Sequence, residues 1–168
     1  VMRRNGDLAA DYARRHNVDR WYDDAEALIN DPQVDAVYIA TPPSAHKDYT
    51  LAVAAAGKPV YVEKPMARLH AECLEMITAC ETAGVPLFVA YYRRGLPRFA
   101  KVRSLLAEKA IGDIRFAQVS YYRRPSEADL GGAENWRVNT RVAGDGYFYD
   151  LASHSIDLLQ YLLGDAIA

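Results

Sequence analysis

The sequence predicts an α/β fold, a parallel sheet with helices on both faces, followed by the start of an α+β unit. Short runs rich in β-branched and apolar residues recur at 34–40, 59–62 and 85–90, each ending in proline or polar residues. Between them lie stretches with helical spacing, and strands alternating with helices imply right-handed crossovers and ligand sites at the carboxyl ends of the strands. After Gly112 the texture changes, with a longer aromatic and β-branched run and then a loop-like, glycine-containing stretch.

Taken in order, Leu8, Ala9, Tyr12 and Ala13 recur at helical spacing and predict a helix over 6–16, with Arg14 and Arg15 near its end. A second, short helix is expected over 24–30. Val34 to Ala40 is the first strand, and Thr41-Pro42-Pro43 stops its ladder because proline has no N–H to donate. Ser44 offers an N-cap for a helix through Ala56 that Gly57 closes. The second strand, Pro59 to Val62, ends at Glu63-Lys64-Pro65, and a long helix from about Leu69 to Ala83 is terminated by Gly84. Val85 to Ala90 supplies the third strand, and Pro97 to Glu108 returns to helical spacing. Ile114 to Tyr122 is expected as a further strand, and Pro125 to Asp145 as loop. The change of texture places a domain boundary between Tyr92 and Gly112.

Composition narrows the function classes. With Lys+Arg 20 against Asp+Glu 22 and a formal net charge of -2, no overall field favours nucleic acid or an anionic membrane surface. No apolar run approaches the roughly 20 residues of a membrane span, and no signal pattern opens the chain. Cys73 and Cys80, seven positions apart in one expected helix, read as unpaired thiols of a reducing compartment, so a cytoplasmic location is expected. The chain opens on Val1 and stops directly after a helical pattern, which reads as a fragment cut at both ends.

Several strings could carry chemistry. Lys64, at the mouth of the sheet with Pro65 fixing the turn and Glu63 able to hold its ammonium, can polarise a hydroxyl; it equally reads as a surface Lys-Pro turn. Asp150 and His154 stand four residues apart, hence one above the other on a helix face, the arrangement for a general base with a partner, and Asp157 could orient the imidazole. A helix cap with a structural histidine is the alternative, and a metal pair lacks a third ligand, so no metal site is expected. Thr41 with its neighbouring amides is placed to touch a ligand across the strand ends. Tyr91-Tyr92-Arg93-Arg94 reads as a ligand contact or a solvated basic turn, and Trp136 with Arg137 as pocket lining or inter-domain core.

Together and in this order the strings resemble the glucose-fructose oxidoreductase / inositol dehydrogenase family, Gfo/Idh/MocA. The resemblance rests on Val34 to Pro43 with His46, Gly57-Lys58-Pro59-Val60 leading to Glu63-Lys64-Pro65, and Gly146 to Asp150 with His154, Asp157 and Gly164. It implies a partial NAD(P)-binding Rossmann domain over 1–94 and a partial α+β substrate and oligomerisation domain over 95–168, a homo-oligomer built on the sheet of that second domain, and a small-molecule substrate. The implied activity is hydride transfer between NAD(P) and a sugar, polyol or related hydroxy or keto compound. Lys64, Asp150 and His154 fall on the family's catalytic positions: His154 takes a proton, Lys64 holds the reacting oxygen, and Asp150 positions substrate. Thr41, Pro42, His46, Glu63, Lys64 and Tyr92 would line the cofactor, although Tyr92 stands where many relatives carry asparagine, and Asp145 interrupts a glycine run. Trp136 and Arg137 would join Lys64, Asp150 and His154 around substrate.

The family's glycine-rich phosphate loop would fall roughly 20 to 30 residues before Val1. Arg3 and Arg4 would then sit at the end of the second Rossmann strand, where basic residues favour the 2′-phosphate of NADP over NAD. Two other readings keep the same residues: a relative that cleaves glycosidic bonds through tightly held NAD, distinguished by redox balance, and a non-catalytic dinucleotide-binding relative, against which the joint presence of Lys64, Asp150 and His154 argues.

Overall fold

The computed structural model describes residues 1–122, 124–130 and 135–164. Residues 131–134, part of the expected loop, and 165–168, the expected chain end, lie outside the described residues. Helix α1, Gly6–His16, is capped by the Asn5 side chain, which accepts from the Leu8 amide, and ends in Asn17 with a left-handed backbone. Just before it, Met2 forms a parallel bridge with Tyr22, so Arg3 and Arg4 lie between an extended segment and a helix start. Helix α2, Ala25–Asn30, is capped by Asp24.

Three parallel strands follow, β1 Val37–Ile39, β2 Val60–Val62 and β3 Leu87–Val89, in spatial order β1-β2-β3. They connect through α3, His46–Ala55, and α4, His70–Ala83. The strands are shorter than the apolar runs that predict them, because a ladder counts only paired residues; Val37, Val60 and Leu87 lie in register. Gly84 ends α4 at φ 66°, with its amide bonded to the Cys80 and Glu81 carbonyls. Ser44 does not cap α3: the chain first makes a short 3-10 turn over Pro43–Ala45, which places Ser44 inside the turn instead of at its boundary.

One face of the sheet builds the core. Val37, Ile39, Val60 and Val62 pack against Val53 and Ala54 of α3 and Met76 and Cys80 of α4, with Ile29 of α2 at the edge. Each of the larger side chains removed from water contributes about 1.5–3 kcal/mol. Helices were expected on both faces; on the opposite one Tyr38, Tyr61 and Phe88, neighbours across the ladder, remain exposed. Cys73 and Cys80 are free thiols, as their spacing predicts.

Beyond β3 come a 3-10 turn, Tyr92–Gly95, then α5, Pro97–Ala107, α6, Glu127–Leu130, and α7, Thr140–Ala143. The expected strand over 114–122 is a correction. Those residues are exposed and pair with no described strand, and without a partner ladder a β-prone run has no hydrogen bonds to fix it. The last segment is also not one α-helix: Phe148–Ala152 form a π turn that runs into α8, Ser153–Leu163. No described helix is long and apolar enough to cross a membrane.

Candidate active site

The carboxyl ends of β1, β2 and β3 meet the π turn and the start of α8. Glu63 continues the ladder past β2, its amide donating to the Ile39 carbonyl. Its carboxylate accepts from the Tyr38 hydroxyl at 2.5 Å and from the Lys64 amide at 3.0 Å. Burial and this carboxylate push the Tyr38 hydroxyl up to about 12, so it stays a donor. Glu63 therefore holds the main chain of Lys64, not its ammonium as the sequence suggests.

The ammonium reaches across to the π turn. Lys64 Nζ donates to the Asp150 main-chain oxygen at 2.6 Å and forms an ion pair with the Asp150 carboxylate. Both side chains are largely buried, 13% and 23% exposed, so the pair is little screened. Asp150 lies within the π turn, so the two contacts join the loop after β2 to that turn. The other Asp150 oxygen lies 3.4 Å from Arg137 Nε, and the Arg137 guanidinium stacks over the Trp136 ring at 4.5 Å. Gly146, at φ 58°, allows this approach: a Cβ there would stand 2.9 Å from the Arg137 carbonyl.

His154 is 5% exposed, edge-on to the Tyr92 ring at 5.3 Å and the Tyr91 ring at 6.2 Å. Its Nδ1 is buried without a partner, and the ring makes no hydrogen bond among the described residues. Burial pushes its basicity down from the ordinary 6.5, and the positive charges of Lys64 and Arg93 push the same way. The imidazole is thus neutral at neutral pH, with a nitrogen free to accept a proton. Asp157 does not orient it. Its buried carboxylate takes a bidentate bond from Arg94, Nε at 2.9 and 3.1 Å, with a further contact from the terminal nitrogen at 2.6 Å, tying α8 to the turn after β3.

The expected cofactor-lining residues divide. Thr41 lies at the end of β1 with its buried hydroxyl unpartnered, and Pro42 extends beside it, so this edge fits a ligand that brings a hydrogen-bonding group. His46 is fully buried. Its Nδ1 lies 3.0 Å from the Pro65 oxygen and 3.2 Å from the Met66 oxygen, and its Nε2 lies 2.8 Å from the Thr41 oxygen. It ties the two strand-end loops together from beneath rather than presenting its ring above them. Tyr92 is exposed at the rim. Arg3 stacks on Tyr12 at 5.2 Å, and Arg4 is exposed; neither forms an ion pair among the described residues. The described residues hold no cluster of His, Cys, Asp and Glu able to bind a metal ion. Sequence reasoning missed the π turn, which has no composition of its own, and the Arg94–Asp157 ion pair, because a doublet of arginines after a strand carries no mark of which one forms it.

Known proteins show which family the chain belongs to. The oxidoreductase family with an NAD-binding Rossmann fold matches residues 1–91, and the GFO/IDH/MocA C-terminal domain matches residues 99–168. The chain belongs to the Gfo/Idh/MocA oxidoreductase family. It is 41% identical over 166 residues to an oxidoreductase of Formosa agariphila, covering 98% of this chain and 52% of that one. To levoglucosan dehydrogenase of Pseudarthrobacter phenanthrenivorans it is 34% identical over 165 residues, 98% of this chain and 42% of the relative. A solved structure of levoglucosan dehydrogenase with NADH and levoglucosan superposes with a TM-score of 0.82 at 33% identity, covering 97% of this chain and 44% of the other. The chain thus spans about half the length of the relatives it matches.

Proposed function

We propose that this chain carries the reaction centre of an NAD(P)-dependent oxidoreductase that moves a hydride between the nicotinamide and a CH–OH group of a sugar, polyol or related compound. The observation that carries the reading is the convergence of Lys64, Asp150 and a buried, unbonded His154 where three parallel strands end. The nicotinamide, when bound, supplies the hydride acceptor or donor.

The chain's own residues handle the proton and the charge. A neutral His154 nitrogen accepts the hydroxyl proton of the substrate as oxidation proceeds, and its lowered basicity keeps it in that form. Lys64, fixed by two Asp150 oxygens, donates to the oxygen on which negative charge develops; a donor already held in place needs no reorganisation. Asp150, itself held between Lys64 and Arg137, has little freedom to turn away, and so orients a neighbouring substrate hydroxyl. The Thr41 hydroxyl and the Tyr92 rim bound the side from which the cofactor approaches.

Arg3 and Arg4 support NADP over NAD. They follow an extended segment and precede a helix start, the place where a dinucleotide fold meets the ribose 2′ position, and a guanidinium there suits a phosphate. Titration of the purified protein with NADH and NADPH, read by nicotinamide fluorescence, tests both levels. Tighter NADPH binding that is lost in an Arg3→Asp/Arg4→Ala variant supports the phosphate role, equal binding removes it, and no binding of either cofactor overturns the oxidoreductase reading.

A further inference from the structure

Lys64 and Asp150 come from segments far apart in the chain, and a single ion pair fixes their separation but not the orientation of one segment on the other. A second bridge runs beside it. Arg68, in the same loop between β2 and α4, donates from one terminal nitrogen to the Arg141 carbonyl at 2.8 Å and from the other to the Glu72 carboxylate at 2.6 Å. Arg141 lies in α7, which leads into the π turn, so this bond joins the same two segments as the pair of Lys64 with Asp150.

Both ends of the bridge are fixed. Glu72 is buried, and its other oxygen accepts from the Arg68 amide at 3.1 Å, so one carboxylate holds the main chain and the guanidinium of the same residue. Beneath the loop His46 Nδ1 meets the Pro65 and Met66 carbonyls, which leaves the stretch from Lys64 to Arg68 little freedom. On the other side α7 ends at Gly144, φ 72°, one residue before the amide that would take the Arg141 carbonyl in a longer helix, and Arg68 takes it instead. Gly144 also admits the Tyr149 ring: a Cβ there would stand 2.8 Å from it and 3.6 Å from the Arg68 carbonyl. Asp150 follows Tyr149, and its amide donates to the Gly146 carbonyl at 3.0 Å. Contacts therefore run unbroken from Arg68 through α7 and its exit turn to Asp150. Arg68 Nε is buried without a partner among the described residues, so the guanidinium acts through its two terminal nitrogens.

We propose that Arg68, held by Glu72, is a positioning residue of the reaction centre: by tying α7 to the loop after β2 it sets how Asp150 meets Lys64. The proposal rests on the hydride-transfer reading for what that pair then does to a substrate, but not for the bridge. Arg68→Met keeps the aliphatic stem and removes the fork that reaches Glu72 and Arg141 together. Freed of that tie, the π turn no longer covers the Lys64 ammonium.

Two measurements on the purified protein separate the bridge from the chemistry. Competitive reductive methylation, read by peptide mass spectrometry, follows each lysine without any turnover. Arg68→Met is expected to speed modification of Lys64 by about tenfold, while Lys58, whose ammonium donates to the Asp31 carbonyl away from this loop, keeps its wild-type rate. Glu72→Gln, which retains an acceptor for the Arg68 amide, shifts Lys64 in the same direction and by less. An unchanged Lys64 rate in both variants overturns the proposal, as does an equal rise at Lys58, which is general loosening. Nicotinamide turnover with a polyol is read next. Arg68→Met lowers kcat by about tenfold to a hundredfold, and added to Lys64→Ala it lowers turnover no further, because the pair it positions is already gone. Losses that multiply in the double variant overturn the positioning role. A wild-type protein without turnover on any polyol, in which the labelling contrast persists, removes the hydride reading and leaves the bridge in place.

Discussion

At the scale of single residues, Lys64 has the most to lose. Its ammonium is held by two oxygens of one residue 86 positions away, so it is oriented before any substrate arrives. Lys64→Ala removes the donor and leaves Asp150 paired only with the more distant Arg137. Turnover is expected to fall by about a thousandfold, near 4 kcal/mol of transition-state stabilisation, while cofactor affinity changes little, because the backbone at Lys64 is fixed independently through Glu63. Steady-state kinetics beside a cofactor titration would show it, and a comparable loss in both would mean that Lys64 serves binding. The sequence offers Lys64, Asp150 and His154 as candidates but does not show their contacts. It offers Glu63 for the ammonium and Asp157 for the imidazole because they are neighbours along the chain, whereas the ammonium pairs with Asp150 and Asp157 with Arg94, both from elsewhere in the fold, and His154 Nδ1 has no partner among the described residues.

At the scale of elements, the strands and helices of the first half are legible because each is punctuated: Asn5 and Asp24 cap, Gly84 stops, and prolines close strand ends. The second half is less so. A π turn differs from an α-helix by a single residue per turn and has no composition of its own, and the 114–122 run is β-prone yet unpaired. Two element-level contacts hold the site across this region. Gly146 lets the Arg137 segment lie against the π turn. Alanine there must adopt φ 58° and push a backbone oxygen from 2.9 Å, so Gly146→Ala is expected to lower the melting temperature by several degrees, a loss of about 1–3 kcal/mol, and to raise KM more than it lowers kcat by displacing Arg137. Arg94 and Asp157 join the turn after β3 to α8. Asp157→Ala leaves the guanidinium facing a space built for its counter-ion, and a loss of about 2 kcal/mol is expected in urea unfolding, with a smaller loss in Asp157→Asn, which keeps one acceptor. Equal midpoints for wild type and Asp157→Ala would show that this bond does not hold α8.

At the scale of the whole molecule, the site imposes a pH dependence on stability. His154 is buried and flanked by positive charges, so its basicity in the folded chain lies below the ordinary 6.5 that it regains on unfolding. Below that ordinary value the unfolded chain binds a proton that the folded chain refuses, and stability falls as pH falls, starting near 6.5 and levelling only below the folded value. The slope from one such group is at most about 1.4 kcal/mol per pH unit. Asp31 shifts downward chiefly through the Tyr22 hydroxyl and Asp11 through Arg15 and Arg14, so their contributions fade at lower pH, below the carboxylate range. Melting temperatures across pH 5 to 8 should therefore decline below about 6.5, and a His154→Gln variant, which keeps polarity without titrating, should flatten that decline while sharing the steeper loss at lower pH. A wild-type decline that persists unchanged in His154→Gln would assign it to other histidines and show that His154 is not held neutral by the fold, removing the premise that it waits at the strand ends as a proton acceptor.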